Sequence, residues 1–368
     1  MASVKKRPDG MYRARYRDPE GKEHSAHFRR KLDADNWLDK KRGELVEGRW
    51  VDPNAGRKKF SAYAAEWQAI EVHRPTTEAQ VASNLKNHVL PILGDRPIGA
   101  IRTSEIQAWV KGRGEVLAPS TVEVIYNHLR AIFRAAVADK VIAESPCTDK
   151  VKLPRRERRK VEPMAVETVQ AITEAVPSRY RALVMLAAGT GLRQGEAFGL
   201  TVDRVDFLRR TVKVDRQLIL LPGAGPEFGP PKTDASYRTV PLPQVVVDEL
   251  AAHLARWPAG ESGLIFTNDQ GEPIRRTRFS DVWRSAVKAT KVDGAKFHDL
   301  RHFYASLLIR HGESVKVVQS RLGHASAAET LDTYSHLWPD SEDQTRAAVD
   351  LVLGAPSAGL TRGAHGQG

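Results

Sequence analysis

Cysteine occurs once in the 368 residues, at Cys147. One thiol excludes an internal disulfide framework and a cysteine-rich zinc site, and it fits an intracellular chain. No apolar run approaches the length of a membrane-spanning helix. The opening MASVKKRPDG lacks the apolar segment of a secretory signal. There is no GxxxxGK[ST] phosphate loop, no GxGxxG followed by the proper acidic residue, and no HExxH. No pair of carboxylates stands where two-metal chemistry would need it, and no fixed-period repeat is present. What the chain has in excess is positive charge: 57 Lys and Arg against 45 Asp and Glu, a formal +12 and a pI near 9.7. That balance favours a polyanion or a membrane surface as partner, and says nothing of fold. No strongly amphipathic basic terminal helix is evident, which argues against the membrane surface. At 41% hydrophobic and 28% charged the composition is ordinary for a soluble protein, and the length suggests two or three domains.

The charge is uneven. Residues 1 to 60 carry 17 Lys and Arg against 10 Asp and Glu. Within them MYRARYRDPEGKEHSAHF reads as a hairpin turning at PEG, residues 19 to 21. Period two puts Arg13, Arg15 and Arg17 on one face and Tyr12, Ala14 and Tyr16 on the other. A basic ribbon of this sort can lie in a DNA groove, and a small solvated hairpin is the other reading. A polar helix from about Asp33 to Glu47 packs beside it, and WVDPNAGRKK reads as a linker. Residues 58 to 145 are mostly helical by spacing. One helix carries Phe60, Tyr63, Ala64 and Trp67. A second runs from Thr77 to Val89 and ends before Pro91. A third is capped near Thr103 or Ser104. A fourth begins near Ser120 with the stripe Val124, Ile125, Leu129, Ile132, Phe133, Ala136 and Val137. Arg130 and Arg134 lie on other faces of it, where they could touch phosphates or simply be solvated.

A break follows at 146–160. Residues 150 to 160 hold seven Lys or Arg and one Glu, and Lys152, Arg155 and Arg156 are candidates for a strap along a nucleic-acid backbone. The largest unit is 161–350. Helices are expected at Val166–Val176, Tyr180–Ala188, Gln244–Ala255, Thr277–Ala289, Asp299–Arg310 and Val315–Leu322. RRTVKVDRQLI and SYRTVPL are strand candidates, separated by the glycine- and proline-rich LPGAGPEFGPPKTD. Residues 354–368 have no core-forming content and read as a disordered tail.

Basic residues recur in the turns and helix starts of this last unit. HDLRH places His298, Arg301 and His302 within one helical turn, just before the apolar Phe303, Tyr304, Ala305 and Leu307. With an arginine between the histidines, the stretch reads as an anion site at a helix start rather than a metal site. Arg193 stands in TGLRQGE, Lys232 in PPKTDASYR, His324 in RLGHASAAET, and Tyr334 in LDTYSH, ten residues after His324.

These patterns together resemble the tyrosine recombinases, or phage-type integrases. TGLRQGEAFGL is similar to the first arginine motif, FHDLRHFYAS to the histidine–arginine box, and LGHASAAETLDTYSH to the glycine–histidine turn with its downstream tyrosine. The motifs span residues 190 to 336, and the likeness in organisation extends over nearly the whole chain. The chain departs from the family pattern at Gln194–Gly195 and at Phe198, where leucine is usual. The resemblance implies a multidomain, mainly α fold: a small β-rich arm-binding domain at 1–55, an all-α core-binding domain at 58–145, the linker, and a mixed α+β catalytic domain at 161–350.

The resemblance also implies DNA strand cleavage and rejoining without metal, ATP or other cofactor. Tyr334 would be the nucleophile, forming a 3′-phosphotyrosyl link. Arg193 and Arg301 would hold the non-bridging oxygens bidentately. Lys232 would be the acid for the leaving 5′-oxygen. His298 is a candidate to assist proton removal from the tyrosine and His324 to hydrogen-bond a phosphate oxygen; sequence does not separate the two. The implied partners are double-stranded DNA attachment sites of core and arm type, clamped between the two larger domains, and three further copies of the chain on DNA. Tail segments would reach a neighbouring protomer, and there is room for a host DNA-bending factor and an excisionase. The setting would be the cytoplasm, on the nucleoid, in a chain of phage or bacterial origin. Two rivals remain: a type IB topoisomerase-like enzyme, and a non-catalytic DNA-binding regulator built on the same fold.

Overall fold

Alternation of arginine with Tyr12, Ala14 and Tyr16 builds the first sheet. Strands β1 (Ser3–Lys6), β2 (Tyr12–Arg17) and β3 (Glu23–Phe28) pair antiparallel in that order. Arg13 faces His27 across the ladder, and Arg15 faces Ser25. The expected hairpin thus gains an edge strand, SVKK, whose lone valine gives no periodic signal. Helix α1 (Lys31–Val46) covers the apolar face, where Ala14, Tyr16, Ala34 and Leu38 are buried. Trp50 Nε1 donates to the Tyr16 hydroxyl at 2.8 Å and closes this small core. In the computed structural model the described residues are 2–48, 50–156, 160–220, 225–292, 294–338 and 342–353. They fall into two units divided at residues 158 and 159. The expected tail, 354–368, and residues 157–159 of the expected linker lie outside the described residues.

The rest of the first unit is helical: α2 (Phe60–Ile70), α3 (Pro75–Asn84), α4 (Leu90–Leu93), α5 (Thr103–Gly114) and α6 (Pro119–Ala138). Their core gathers Phe60, Trp67, Leu85, Ile106, Trp109, Ile125, Leu129 and Phe133. Each such side chain contributes about 1.5–3 kcal/mol by leaving water. Four sequence expectations shift here. Pro91 does not end the helical run: a wide turn over Leu85–Val89 lets the Leu90 N–H reach Leu85 O, and Pro91 falls in the first turn of α4, where no N–H is needed. The cap of α5 is Arg102, whose N–H is accepted by Glu105. Val124 is 41% exposed; Val122 and Tyr126 take its place in the α6 stripe. The break placed at 146–160 begins too early, because Cys147 and Val151 are buried in this core. The main chain of Lys152 is also clamped by Gln107, which accepts its N–H at 2.7 Å and donates to its carbonyl at 3.1 Å.

The second unit runs α7 (Val166–Ala175), α8 (Ser178–Thr190), α9 (Gln194–Phe198), then β4 (Val205–Asp206), β5 (Thr211–Val214), β6 (Gln217–Leu220), β7 (Pro226–Gly229) and β8 (Arg238–Pro241). Helices α10 (Gln244–Arg256), α11 (Arg276–Ala289), α12 (Asp299–Arg310), α13 (Val315–Leu322), α14 (Ala327–Tyr334) and α15 (Glu342–Leu353) follow. RRTVKVDRQLI is not one strand. It breaks at Asp215–Arg216, where Arg204 Nε donates to the Asp215 carboxylate, and its halves join different sheets, β4-β5-β8 and β6-β7. The partner of β6 comes from inside the glycine- and proline-rich stretch, as β7. Phe198 meets Phe279 at 5.2 Å and Phe297 at 6.2 Å between ring centres, so the departure from leucine fills an aromatic cluster. At Gly195 a Cβ would lie 3.2 Å from Gln217 Oε1, a close contact with the end of a flexible side chain.

One buried ion pair fastens α9 to β8. Arg238 Nη2 donates to Glu196 Oε2 at 2.8 Å, and both side chains are almost fully buried. Burial acts to raise the Glu196 carboxyl, but the hydrogen bond and charge of Arg238, then the charge of Arg193, outweigh it and hold the group below its ordinary 4.5. A carboxyl lowered in this way adds stability above its unfolded pKa and loses it as pH falls through the folded value. Glu196→Gln is therefore expected to destabilise this unit by about 3–5 kcal/mol at neutral pH, because Arg238 is left buried without its partner. The gap between the two chains should narrow as pH drops below 4.5. Thermal denaturation over a descending pH series checks this; a gap independent of pH would place the loss elsewhere.

Candidate active site

Two helix ends and one loop create the centre of the second unit. Helices α8 and α13 both stop at a glycine in the left-handed region, Gly191 at φ 64° and Gly323 at φ 65°. Neither tolerates a side chain: a Cβ at Gly191 would come within 2.5 Å of Tyr304 Cδ1, and one at Gly323 within 3.0 Å of Ala235 O. Helix C-termini are the negative ends of their dipoles, and their free carbonyls seek cations. Arg301, 3% exposed on the first turn of α12, donates from Nη1 to Gly191 O at 2.8 Å and from Nη2 to Leu322 O at 2.6 Å. Arg193, the N-cap of α9, donates from Nη2 to Gly323 O at 2.9 Å. Its Nη1 also reaches Glu196 Oε1 at 3.0 Å and Ser236 Oγ at 2.8 Å. Arg238 Nε donates to Arg321 O at 2.8 Å.

Two of the three guanidinium groups, those of Arg193 and Arg238, thus share one buried carboxylate, that of Glu196. Burial, then the charge of Arg193, pull Arg301 down to about 9, which still leaves it charged at neutral pH. The surplus positive charge in a sheltered place is suited to an anion with several acceptor oxygens.

The tyrosine and histidines lie against this cluster. Tyr334, the last residue of α14, is 1% exposed. Burial pushes its phenol up to about 12, with Arg301 opposing. Its hydroxyl is hydrogen bonded to His302 Nδ1 at 2.8 Å. His324 stacks on the phenol, with ring planes 9° apart and centres 6.3 Å apart, while its Nδ1 is bonded to Thr330 Oγ1 at 2.8 Å. His298 stands edge-on to His302 with ring centres 5.0 Å apart. Burial lowers His298 and His324 to about 4 and shifts His302 in the same direction, so all three rings are neutral near pH 7.

The structure therefore brings together Arg193, His298, Arg301, His324 and Tyr334 from α9, α12, α13, α14 and their flanking turns. Lys232 is exposed in the stretch between β7 and the Asp234–Ser236 turn. That turn is tied to the cluster, since Thr233 Oγ1 and Ser236 Oγ are hydrogen bonded at 2.9 Å. Two participants were not among the site residues expected from the sequence. Glu196 and Arg238 look like ordinary surface charges until α9 meets β8. His302, part of HDLRH in the sequence, lies one turn beyond His298 and is the ring that touches the tyrosine hydroxyl. Among the described residues no group of three or more His, Cys, Asp or Glu is placed to hold a metal, and no helix is long and apolar enough to cross a membrane.

The other candidate residues belong to the first unit. Arg13 and Arg17 are exposed on β2 and Arg15 is half-buried. Each is engaged within its own sheet: Arg13 with Glu23, Arg15 with Ser3, and Arg17 with Gly21 O. Arg130 and Arg134 are exposed one turn apart on α6, and the side chains of Lys152, Arg155 and Arg156 are exposed.

Comparison with known proteins identifies the family. The phage integrase family model matches residues 162–340, its central-domain model residues 60–152, and its N-terminal-domain model residues 2–47. The chain is 29% identical over 338 residues to a putative prophage phiRv2 integrase of Mycobacterium tuberculosis, covering 89% of each. It is 30% identical over 306 residues to a XerC-like tyrosine recombinase of Caldanaerobacter subterraneus, covering 76% of this chain and 78% of the other. The fold is shared with the Tn1549 transposon integrase solved with a circular intermediate DNA: TM-score 0.67, 19% identity, 80% of this chain and 99% of that one. The chain belongs to the phage integrase family and is a site-specific tyrosine recombinase.

Proposed function

We propose that this recombinase integrates and excises a phage or other mobile element, with Tyr334 as the nucleophile on the scissile phosphodiester. The observation that carries the reading is the meeting of Tyr334 with a cluster of arginines whose positive charge exceeds its one buried carboxylate. A phosphodiester placed there would present two non-bridging oxygens to Arg193 and Arg301, whose charge does not titrate away in the neutral range. Charge building on those oxygens in the pentacoordinate transition state would be met by fixed donors that need no reorganisation. As the bond from phosphorus to Tyr334 Oη forms, the bond to the 5′-oxygen breaks, and Lys232 gives that oxygen its proton. A 5′-hydroxyl of a partner strand then attacks the 3′-phosphotyrosyl link and frees the tyrosine. One ester replaces another, so no external energy source is required. His324, bonded through Nδ1 to Thr330, would hydrogen-bond a phosphate oxygen, with His298 beside His302 on the same helix start.

Residues 1–55 take the arm-type sites, with Arg13, Arg15 and Arg17 toward DNA. Residues 58–145 take the core site with the catalytic residues 161–350, helped by Arg130, Arg134, Lys152, Arg155 and Arg156. A complete crossover requires four strand cuts with one tyrosine each, hence four copies on two duplexes. Val349, Leu351, Val352 and Leu353 are exposed on α15, an apolar surface that a neighbouring copy would cover. A host DNA-bending factor and an excisionase would set direction, and the work would be done on the nucleoid in the cytoplasm.

A nicked suicide duplex carrying the attachment site should trap a covalent adduct, visible as a mass shift on the peptide containing Tyr334. Tyr334→Phe should bind that duplex normally and form no adduct; an adduct from this variant would end the nucleophile assignment. Arg301→Ala should slow cleavage roughly a hundredfold or more while weakening binding far less. Equal losses in both would make Arg301 an anchor only. Removing residues 1–55 should abolish arm-site retention in a gel-shift assay and spare weak core-site cutting. Binding of the full chain should fall steeply with added salt.

A further inference from the structure

The phenolic proton of Tyr334 has to leave when the oxygen attacks phosphorus, and the surroundings offer few bases to take it. Arg301 is a donor without acceptor capacity. His324 lies parallel to the phenol, with planes 9° apart and ring centres 6.3 Å apart, whereas the phenol oxygen is bonded to His302. Its Nδ1 is already committed to Thr330 Oγ1. His298, on the first turn of α12, meets His302 edge-on rather than bonding the hydroxyl. His302 is different: its Nδ1 is 2.8 Å from Tyr334 Oη, within direct transfer distance, and it is held there by a rigid helix.

We propose that His302 is a catalytic residue that takes the proton of Tyr334 through Nδ1 during strand cleavage and returns it during rejoining. The inference rests on Tyr334 being the nucleophile. In cleavage the Tyr334 O–H bond breaks, its proton passes to Nδ1, the P–Oη bond forms and the P–O5′ bond breaks. The departing 5′-oxygen takes its proton from a different group, Lys232 in the reading above. In rejoining the 5′-hydroxyl gives its proton back to Lys232 as the P–O5′ bond forms, the P–Oη bond breaks, and the phenolate recovers the proton from His302. Lowered by burial, with Arg301 adding to the effect and Asp299 opposing it, the imidazole is neutral near pH 7 and free to accept. The imidazolium then stands near the carboxylate of Asp299, and the same burial that keeps the ring neutral favours prompt return of the proton.

Single-turnover adduct formation on the nicked duplex tests this, with two variants and one altered substrate. His302→Ala should form adduct roughly 10²–10⁴-fold more slowly at unchanged DNA affinity. His302→Asn can place an amide oxygen close to the position of Nδ1, keeping a hydrogen-bond acceptor without a base, and should be as slow. A duplex with sulfur replacing the bridging 5′-oxygen needs no acid for its leaving group. It should rescue Lys232→Ala and fail to rescue His302→Ala. Adduct at the unaltered rate in His302→Ala, recovery in His302→Asn, or rescue by the sulfur substrate would each overturn the inference: the first denies a role, the second makes His302 a positioning group, the third moves it to the leaving-group side. Absence of adduct from the unaltered chain would instead remove the reading of Tyr334 itself.

Discussion

Everything in the second unit is arranged around the need to keep three guanidinium groups together in a sheltered place. Like charges that close repel, and burial removes the water that would screen them. The fold answers with one buried carboxylate, Glu196, and with the carbonyl ends of α8 and α13. Hydrogen bonds to charged groups contribute about 1.5–3 kcal/mol each, so the nine that these three side chains donate among the described residues offset a desolvation cost of several kcal/mol per ion. They do not cancel the net charge. What is left over is the attraction for a phosphate.

That arrangement explains why the glycines matter as much as the charged residues. Gly191 and Gly323 end their helices in the left-handed region and turn bare carbonyls toward Arg301 and Arg193. A residue with a Cβ at either place would meet Tyr304 or the Ala235 carbonyl and push the helix end away. The same packing sets the chemistry of the rings. Enclosure raises Tyr334 and lowers its histidine neighbours, so the protonated phenol faces neutral imidazoles. The phenol hydroxyl therefore has a neutral imidazole as its hydrogen-bond partner at 2.8 Å.

Much of this could be read before any coordinates. The helices at Asp299–Arg310 and Val315–Leu322 follow from apolar spacing and, for the second, from the terminating Gly323. The arginine face of β2 follows from period two. Boundaries failed where a tertiary partner overrode a local signal. Pro91 looked like a stop until the wide turn ahead of it removed the conflict. Val151 and Cys147 looked like linker because two apolar residues among charged neighbours have no period, yet the helical core needed them. Strand β7 was hidden because glycine and proline report turns, while its backbone, from Pro226 to Gly229, pairs with β6.

The sequence by itself determined which groups are available and the order in which they come: two motif arginines, two motif histidines, a lysine and a tyrosine, with no competing metal or phosphate-loop chemistry. Those are local patterns, and local patterns survive in one dimension. Only the tertiary structure decided how the groups are paired. Glu196 meets Arg238 and Arg193 from residues 42 and 3 apart along the chain, and Tyr334 meets His302 from 32 residues away. Distances of that kind are set by which helix ends are buried against which turns, and so is which ring meets the phenol: His298 and His302 differ by a single helical turn, and the tyrosine hydroxyl at the end of α14 meets the second ring.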